Sequence, residues 1–358
     1  METIGQHVGA CLWRRVLMAL KRVTMQDIAD ACGLSRNTVS KVFNGRGSVP
    51  ESTKNLVVNK ARELGYYQYS IEGVAGKKQN GNIALLTQHK LLSHSFGAYF
   101  LTSFTDQISR LGYTMQMYEV SPEDLLNKRL PALLDLEHVA GIVGIELFDR
   151  EYIEMVCSLG EPTVFVDSYP HVVEELIQCD FVSMENVTSE ASLVDHMISG
   201  GAKHFGFVGD IEHCNSFYER WIGFCEALNA AGLPLNRDVC ILAEDSDLYG
   251  DVDWLVEQLD ALPYMPDAFV CANDFLAIRI MTALKRKGLS IPSDVMVTGF
   301  GGLPESTVVE PSLTTAKIPS SEIGRFTATL ITKRIQQPDF PCHWTYVKTT
   351  PVWGNSTR

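Results

Sequence analysis

The chain has 358 residues, of which 46% are apolar and 20% are charged, and its formal net charge is −13. This length allows more than one hydrophobic core, and the composition excludes collagen-like, coiled-coil and wholly disordered proteins. No run approaches the roughly 18 consecutive apolar residues of a membrane-spanning helix, and the first 21 residues lack the apolar run of a secretory signal. Nine cysteines without a Cys-x-x-Cys motif predict reduced, mostly buried thiols. We therefore expect a cytoplasmic protein of at least two domains.

The charge is distributed unevenly along the chain. Residues 1–78 contain 12 basic and 6 acidic side chains, a net charge of +6, whereas the remainder carries −19. A basic module on an acidic body predicts that only the first part binds a polyanion. Chance clustering on a solvated surface is the alternative, so the motifs have to decide between them.

Residues 23–65 show the spacing of three short helices. Thr24 with Asp27 is typical of a capping box at a helix start, and Gly33 supplies the backbone freedom for a tight turn. Ser35 is placed to cap a second helix running to about residue 43, and a third helix is predicted between Pro50 and Gly65. The apolar positions predict a small shared core, made of Ile28, Ala29, Cys32, Leu34, Val39, Val42, Leu56, Val57, Ala61 and Leu64.

The second helix would expose Arg36, Asn37 and Lys41 near its N-terminal end. In a helix-turn-helix this end reaches base edges in the major groove, where Arg pairs with guanine and Asn with adenine. Short polar side chains suited to phosphate contacts surround it, namely Thr24, Ser35, Ser40, Asn44 and Thr53. The alternative is a three-helix module that binds protein, with Arg36 and Asn37 merely solvated.

The string TMQDIADACGLSRNTVSKVFN, residues 24–44, resembles the DNA-binding headpiece of the lactose-repressor (LacI/GalR) family of bacterial transcription regulators. The resemblance implies that Arg36 and Asn37 choose operator bases, assisted by Lys41. Headpieces of this family begin near the protein start, whereas residues 1–22 precede this one. We expect either a disordered N-terminal extension or a true start at Met18.

Residues 66–80 occupy the place of the family's hinge helix, which inserts an apolar side chain into the minor groove. Val74 would be that wedge, because Val74-Ala75-Gly76 is similar to the usual Leu-Ala-Gly. The usual proline is absent, and Gly73 disfavours a helix. The alternative is a flexible tether whose Tyr66 and Tyr69 pack on the headpiece.

From residue 81 onward, apolar strand-like runs alternate with amphipathic helices. Strands are predicted at residues 83–86, 114–118, 141–145, 163–166, 181–183, 205–208, 239–242, 269–272 and 295–300. Helices are predicted at 96–111, 190–199, 217–231 and 274–287. The alternation predicts two α/β lobes with doubly wound parallel sheets, and ligands in such sheets bind at the carboxyl ends of strands. The cleft between the lobes is thus the expected small-molecule site.

The resemblance extends over this body, because Arg220-Trp-Ile-Gly-Phe, Cys271-Ala-Asn-Asp, Val297-Thr-Gly-Phe and Pro311-Ser-Leu-Thr-Thr have family counterparts in the same order. It implies a periplasmic-binding-protein-like core, residues 81–358, whose chain crosses between the lobes three times. We expect an N-lobe of residues 81–178 and 310–337, and a C-lobe of residues 179–309 and 338–358.

Residues carried over from the family predict the effector site: Ser95, Phe96, Asp167, Ser216, Arg220, Asn273 and Asp274. Arg220 would hold ligand oxygens or a carboxylate. The alternatives are helix caps for Asp167 and Asp274, a surface ion pair for Arg220, and a core position for Phe96. Where the family commonly has an acidic residue after the 295–300 strand, this chain has Gly301-Gly302-Leu303, which favours an anionic effector such as a sugar acid or sugar phosphate.

No catalytic pattern is present: the phosphate loop, the Gly-x-Ser-x-Gly elbow and His-Glu-x-x-His are all absent from the sequence. We therefore predict no enzyme activity, no metal site and no cofactor. A periplasmic-type sugar carrier without a DNA role is the alternative, but it needs a signal peptide and no basic headpiece. The sequence predicts a DNA-binding repressor that acts as a homodimer on double-stranded operator DNA under control of a small sugar-like effector.

Overall fold

The computed structural model describes residues 23–43, 49–64, 81–88, 95–172, 178–244 and 247–358. The contacts divide the chain into two compact units, Met1–Gln79 and Asn80–Arg358. The predicted linker segment 66–80 and the predicted contact residues Asn44 and Val74 lie outside the described residues. We call the first unit the headpiece and the second unit the body.

The headpiece contains three helices: α1 (Met25–Cys32), α2 (Arg36–Phe43) and α3 (Glu51–Glu63). The predicted capping box is confirmed, because the Thr24 hydroxyl accepts a hydrogen bond from the Asp27 amide while the Asp27 carboxylate accepts from the Thr24 amide. Gly33 then ends α1 with a φ of 65°, a left-handed conformation that glycine adopts without strain.

The headpiece core differs from the prediction at two positions. Ile28, Ala29, Val39, Val57 and Ala61 are fully buried, and five apolar neighbours pack against them. The predicted core positions Leu56 in α3 and Leu64 just after it are wrong, since Leu56 is 47% and Leu64 38% exposed. The helix meets α1 and α2 along the stripe of Val57 and Ala61, and positions 56 and 64 lie beside that stripe.

The first sheet of the body has six strands, all paired in parallel, in the order β10-β5-β4-β3-β1-β2. They are β1 (Gly81–Thr87), β2 (Tyr113–Glu119), β3 (Val139–Ile145), β4 (Thr163–Val166), β5 (Asp180–Met184) and β10 (Trp344–Val347). The inner strands β1, β3, β4 and β5 are apolar and buried on both faces, as a parallel sheet covered by helices requires.

The second sheet has five strands in the order β11-β9-β8-β7-β6. They are β6 (Phe205–Val208), β7 (Ala268–Cys271), β8 (Met296–Gly301), β9 (Thr314–Lys317) and β11 (Thr350–Val352). β6 to β9 pair in parallel, and the edge strand β11 is antiparallel to β9. The two-lobed parallel α/β body predicted from the sequence is confirmed.

Helices connect the strands of both sheets. They are α4 (Ser95–Arg110), α5 (Pro122–Asn127), α6 (Arg150–Ser158), α7 (Val187–Ser199), α8 (Asn215–Ala230), α9 (Val252–Ala261), α10 (Asp274–Arg286), α11 (Glu305–Val308) and α12 (Ser320–Gln336). None of the described helices is both long enough and apolar enough to span a membrane.

The chain passes between the lobes after β5, after β9 and after β10, and each crossing is only a few residues long. The lobe boundaries predicted from the sequence are therefore wrong at three places. The prediction places β5 and β10 in the C-lobe (residues 179–309 and 338–358), but both strands belong to the first sheet. It places β9 in the N-lobe, but this strand belongs to the second sheet. The sequence of a short apolar strand does not indicate which sheet it joins.

Two further expectations differ from the structure. Residues 239–242 do not form a strand: the chain has a 3-10 turn at Arg237–Val239 and a single bridge from Ile241 to Val208. The cysteines are also not all free thiols, because Cys157 of α6 and Cys179 before β5 form a disulfide, with 5.9 Å between their Cα atoms. These two residues are 22 positions apart, a spacing that no sequence motif marks.

Candidate functional site

The predicted base-reading residues share one exposed face of α2. Arg36 and Asn37 occupy its first turn, Lys41 follows one turn later, and all three side chains are exposed. Val39 on the opposite face is fully buried, and it fixes the rotation of the helix against the headpiece core. None of the three exposed side chains forms a hydrogen bond or an ion pair with another described residue, so their donors point to solvent.

Two other cations of the headpiece are paired with carboxylates. On α3, Lys54 lies 3.0 Å from Glu51 and Lys60 lies 2.5 Å from Glu63. Arg36 and Lys41 have no such partner among the described residues, so α2 carries unpaired positive charge. A polyanion is attracted most strongly to this face.

The predicted phosphate-contact residues divide into two kinds. Thr24 and Ser35 cap helices, because the Thr24 hydroxyl bonds Asp27 and the Ser35 hydroxyl accepts from the Thr38 amide at 3.1 Å. Ser40 and Thr53 are half-buried side chains of α2 and α3. Capping sets the direction of the helix N-termini, which are themselves favourable phosphate sites.

The body contains a cleft of about 740 Å³ between the carboxyl ends of the strands of its two sheets. Its wall receives residues from both lobes, which follow β3 and β4 on one side and β6, β7 and β8 on the other. Six of the seven predicted effector residues line this cleft: Phe96, Asp167, Ser216, Arg220, Asn273 and Asp274. Ser95 begins α4 beside Phe96, and its side chain lies outside the described part.

Arg220 lies on α8 and is almost completely buried at the cleft wall. Its Nε donates to Asn186 Oδ1 at 3.0 Å, and its Nη1 donates to the carbonyl of Ala272 at 2.6 Å. The guanidinium plane stacks on the ring of Phe300, 4.0 Å from the ring centre. No described carboxylate oxygen lies within 4.0 Å of it, so the surface ion pair considered from the sequence does not form. The rest of the guanidinium is free for a ligand.

Asp167 follows β4 and is a strained, buried residue. Its backbone adopts a φ of 64°, which is unusual for a residue other than glycine. Burial raises the pKa of its carboxyl, and the Ser216 hydroxyl and the Ser168 amide partly offset this effect. Asp167 comes from the first lobe and Ser216 from the second, so this contact joins the two walls of the cleft.

Asp274 lines the cleft as predicted, but its carboxylate forms hydrogen bonds within the protein. Its Oδ1 accepts from the Thr315 hydroxyl at 2.5 Å and its Oδ2 from the Leu303 amide at 2.7 Å. Burial raises the pKa of this carboxyl, while those hydrogen bonds lower it. Both oxygens are therefore bonded within the protein, and Asp274 fixes the loop after β8 rather than presenting a free carboxylate.

Asn273 and Phe96 combine structural and lining roles. Asn273 is the N-cap of α10, where its Oδ1 accepts from the Leu276 amide at 2.8 Å. Its side-chain NH2 group has no partner among the described residues and is available to a ligand. Phe96 packs against Phe100 with 6.2 Å between ring centres, so it is part of the core as well as part of the wall.

Sequence reasoning missed several lining residues. Phe148 and His213 come from opposite lobes and pack edge to face with 5.1 Å between ring centres. Glu146, which directly follows β3, and Phe300 in β8 also line the cleft. The rule that ligands bind beyond the carboxyl ends of parallel strands could have indicated them, because each follows or ends a predicted strand.

The comparisons with known proteins agree with both parts. Residues 24–68 match the family described as bacterial regulatory proteins, lacI family. The chain thus contains a lacI-family DNA-binding domain. Residues 194–357 match the periplasmic binding protein-like domain. The protein is a DNA-binding transcriptional regulator, not an enzyme and not a solute carrier.

Relatives of the chain have similar length and are named as regulators. It is 26% identical to the HTH-type transcriptional regulator CelR of Thermobifida fusca, over 88% of this chain and 92% of the relative. It is also 26% identical to the ribose operon repressor of Bacillus subtilis (strain 168), over 86% of this chain and 90% of the relative.

Solved structures of the same fold cover nearly the whole chain. A transcriptional regulator CelR–cellobiose complex matches with a TM-score of 0.70 and 25% identity, covering 94% of this chain and 100% of that one. The lac repressor dimer bound to operator and the anti-inducer ONPF matches with a TM-score of 0.69 and 20% identity, covering 94% and 99%. This second likeness concerns the fold alone.

Proposed function

We propose that this regulator is a repressor whose affinity for operator DNA is controlled by a sugar or sugar derivative held between its two lobes. The observation that carries the proposal is the exposed face of α2, where Arg36, Asn37 and Lys41 have no partner within the described protein. Charged and amide groups in that position suit base edges of the major groove. In chain order, we assign an N-terminal extension to residues 1–22 and DNA binding to residues 23–65. The linker is then residues 66–80, and effector binding belongs to residues 81–358.

The cleft supports control by a small molecule. Its volume of about 740 Å³ lies within the usual range for ligand sites, roughly 300–1,000 Å³. Donors from Arg220 and Asn273 face it, together with the aromatic rings of Phe96 and Phe148, a combination suited to a hydroxylated ligand. The names of the relatives point in the same direction, because one is a ribose operon repressor and another is a complex with cellobiose.

Control follows from linkage between the two sites. A ligand that contacts both lobes favours the arrangement in which its contacts are made, and it changes operator affinity by its preference for that arrangement. Asp167 and Ser216, which meet across the cleft, place such contacts on both sides. We propose the same role for Ser95, Phe96, Arg220, Asn273 and, through the loop that it fixes, Asp274.

A homodimer is part of the proposal. One helix-turn-helix offers few base contacts, so two copies on a near-palindromic operator are expected. The body is the proposed dimerisation domain, since Tyr99 of α4 and Phe326 of α12 are 55% and 39% exposed on two helices that pack together. A lac repressor structure of the same fold is described as a dimer bound to operator.

The test begins with selection of bound sequences from random DNA, using the full chain. Arg36→Ala should then weaken binding to the selected operator by about 1–3 kcal/mol and relax the preference at one base pair. Lys60→Ala is the matched control, because Lys60 is paired with Glu63 on α3 and should leave the sequence preference unchanged. An equal loss on every sequence would show that Arg36 contacts only the DNA backbone.

A further inference from the structure

A second acidic side chain lies directly behind the cleft wall and has no role in the site described above. Glu190 on α7 is fully buried, and neither of its carboxyl oxygens has a hydrogen-bond partner among the described residues. Burying an isolated carboxylate is costly, and such a group remains protonated instead. Its position therefore requires an explanation.

Glu190 lies where α7 and α8 pack together most closely. A Cβ atom at Gly223 of α8 would be 3.0 Å from the Cβ of Glu190 and 2.3 Å from the carbonyl oxygen of Val187, so only glycine leaves room there. The charged and titratable groups that face Glu190 are Arg220 from α8, Asp274 from α10 and Cys271 from β7. Arg220 is thus the cation with which Glu190 interacts.

The hydrogen-bond and ring partners of Arg220 within the described protein are neutral: the amide oxygen of Asn186, the carbonyl of Ala272 and the rings of Phe300 and Phe217. An arginine that lines a cleft and lacks a counter-ion is suited to an oxyanion, because the guanidinium can donate two parallel hydrogen bonds to it. Glu190, Asp167 and Glu219 are the carboxyl groups whose charge acts on Arg220. Asp167 and Glu219 accept hydrogen bonds within the protein, whereas Glu190 has no such partner among the described residues, so its charge state is the one that the structure leaves to vary.

We propose that Glu190 determines whether the cleft binds anionic or neutral effectors. As an uncharged acid it leaves the positive charge of Arg220 available, so that the cleft selects a ligand bearing a carboxylate or phosphate group. This inference rests on the proposed function, since it names the ligand class of the same cleft. Ionised Glu190 would offset the charge of Arg220 and repel such a ligand.

The electrostatics of Glu190 agree with this role. Burial raises the pKa of its carboxyl, Arg220 lowers it and Asp274 raises it, and the net result is a pKa of about 8. Glu190 is therefore mostly uncharged at pH 7 and mostly ionised at pH 9.5. An oxyanion bound at Arg220 favours the protonated form, so binding of the anion and binding of the proton support each other.

Two other carboxyl groups at the cleft, those of Asp274 and Asp167, compete little for Arg220. Both oxygens of Asp274 accept hydrogen bonds from within the protein, and burial raises the pKa of Asp167. At the end of β8 the wall is formed by Gly301, where a side chain would approach Asp274 Oδ2 to 3.4 Å. An acidic residue at position 301 would add a carboxylate beside the ligand, and the glycine keeps that place uncharged.

The test uses sulfate, whose charge is constant between pH 7 and 9.5, as the oxyanion probe. Thermal unfolding of the full chain is followed against sulfate concentration, with chloride at matched ionic strength as the reference. Sulfate also stabilises proteins generally by exclusion from their surface, so Arg220→Gln serves as the control whose response is subtracted. The apparent sulfate Kd is then compared between wild type and Glu190→Gln at pH 7 and pH 9.5.

We expect the sulfate Kd of the wild type to rise about tenfold or more between these pH values, because the ionised carboxyl offsets a nearby buried cation. In Glu190→Gln the Kd should change less than about twofold, since no charge appears at position 190. Glu190→Met, similar in length and apolar, provides a second test if the glutamine variant does not fold. A wild type with no Arg220-dependent sulfate response, or one with the same pH dependence as Glu190→Gln, would overturn the inference.

The source of the oxyanion is distinguished by matched sugars. Glucuronate, glucose 6-phosphate and glucose are compared as stabilising ligands at pH 7, and the inference expects the acid or the phosphate to exceed the neutral sugar. A neutral sugar that stabilises the chain as much as its charged counterparts overturns it. Both results leave operator binding untouched, whereas failure to select any DNA sequence refutes the proposed function and not the charge preference of the cleft.

Discussion

Glu190→Gln removes a buried ionisable group while keeping its size. In the folded chain burial holds the pKa of this carboxyl at about 8, against 4.5 for an ordinary glutamate. Between these two pH values the folded state keeps a proton that the unfolded state has released. Stability must therefore fall as the pH rises through this window, because the folded state binds more protons. The glutamine variant has no such proton and should lack this contribution.

The size of the effect follows from the two pKa values. Each unit of difference corresponds to about 1.4 kcal/mol in the free energy of unfolding. The shift from 4.5 to about 8 corresponds to about 3 to 5 kcal/mol between pH 4.5 and pH 8.5. This is a large part of the 5–15 kcal/mol that stabilises a typical domain. Below pH 4.5 both states are protonated, and the full contribution is present there.

Urea unfolding of wild type and Glu190→Gln at half-unit steps from pH 5 to pH 9 measures this difference. Tryptophan fluorescence follows the body, because four of the five tryptophans lie in it, namely Trp221, Trp254, Trp344 and Trp353. Other titrating groups are common to both chains, so the difference between the two curves reports position 190. The reasoning is refuted if that difference stays constant within about 0.5 kcal/mol across the range, since additive effects agree to that level.

Two further substitutions test the cleft. Arg220→Ala should weaken binding of the effector about 10- to 100-fold by calorimetry, because a charged hydrogen bond contributes about 1.5–3 kcal/mol. Arg237→Ala, at an exposed arginine, is the control. An unchanged effector affinity in Arg220→Ala would show that Arg220 does not belong to the site. Asp274→Asn should lower the free energy of unfolding by about 1–3 kcal/mol in urea, because one buried donor, such as the Leu303 amide, loses its acceptor. Asp253→Asn, in an exposed ion pair with Arg286, should change it by less than about 1 kcal/mol, and equal effects at both positions would contradict the argument.

The headpiece could be predicted in detail because its signals are local. The capping box, the glycine turn and the cap at Ser35 depend on residues within one helical turn, and the structure has all three. The errors at Leu56 and Leu64 have a different origin. Helical periodicity gives a broad apolar stripe, but the width that the core covers depends on how closely α1 and α2 approach α3.

The body could be predicted as a strand-helix alternation, and the predicted bounds of β4 and β6 agree with the structure at both ends. The sheets in which β5, β9 and β10 pair could not be predicted, since strand order is decided by contacts between distant residues. The apolar run at 239–242 was also misjudged, because hydrophobicity alone does not distinguish a strand from a buried turn with one bridge.

The candidate site shows the same division. The loop positions of Asp167 and Arg220 could be inferred from resemblance and strand ends, and the structure brings them into one cleft. The hydrogen bonds that occupy Asp274 involve residues 29 and 41 positions away, so sequence spacing could not reveal them. The sequence predicts Glu190 only as the start of a helix, and its burial depends on the close approach of α8 at Gly223, which lies 33 positions away.

The three crossings between the lobes have a mechanical consequence. The Glu185 amide donates to the Val347 carbonyl at 2.9 Å, and the Thr349 hydroxyl donates to the Glu185 carbonyl at 3.0 Å, so two of the crossings are bonded to each other and must bend together. The remaining one passes through Ile318, whose amide donates to the Gly301 carbonyl and whose side chain touches the cleft. Rotation of the lobes is thus concentrated at two hinges, the pair of bonded crossings and the single crossing at Ile318. A ligand that packs against Ile318 contacts the second hinge directly, and its shape there sets the angle between the two lobes.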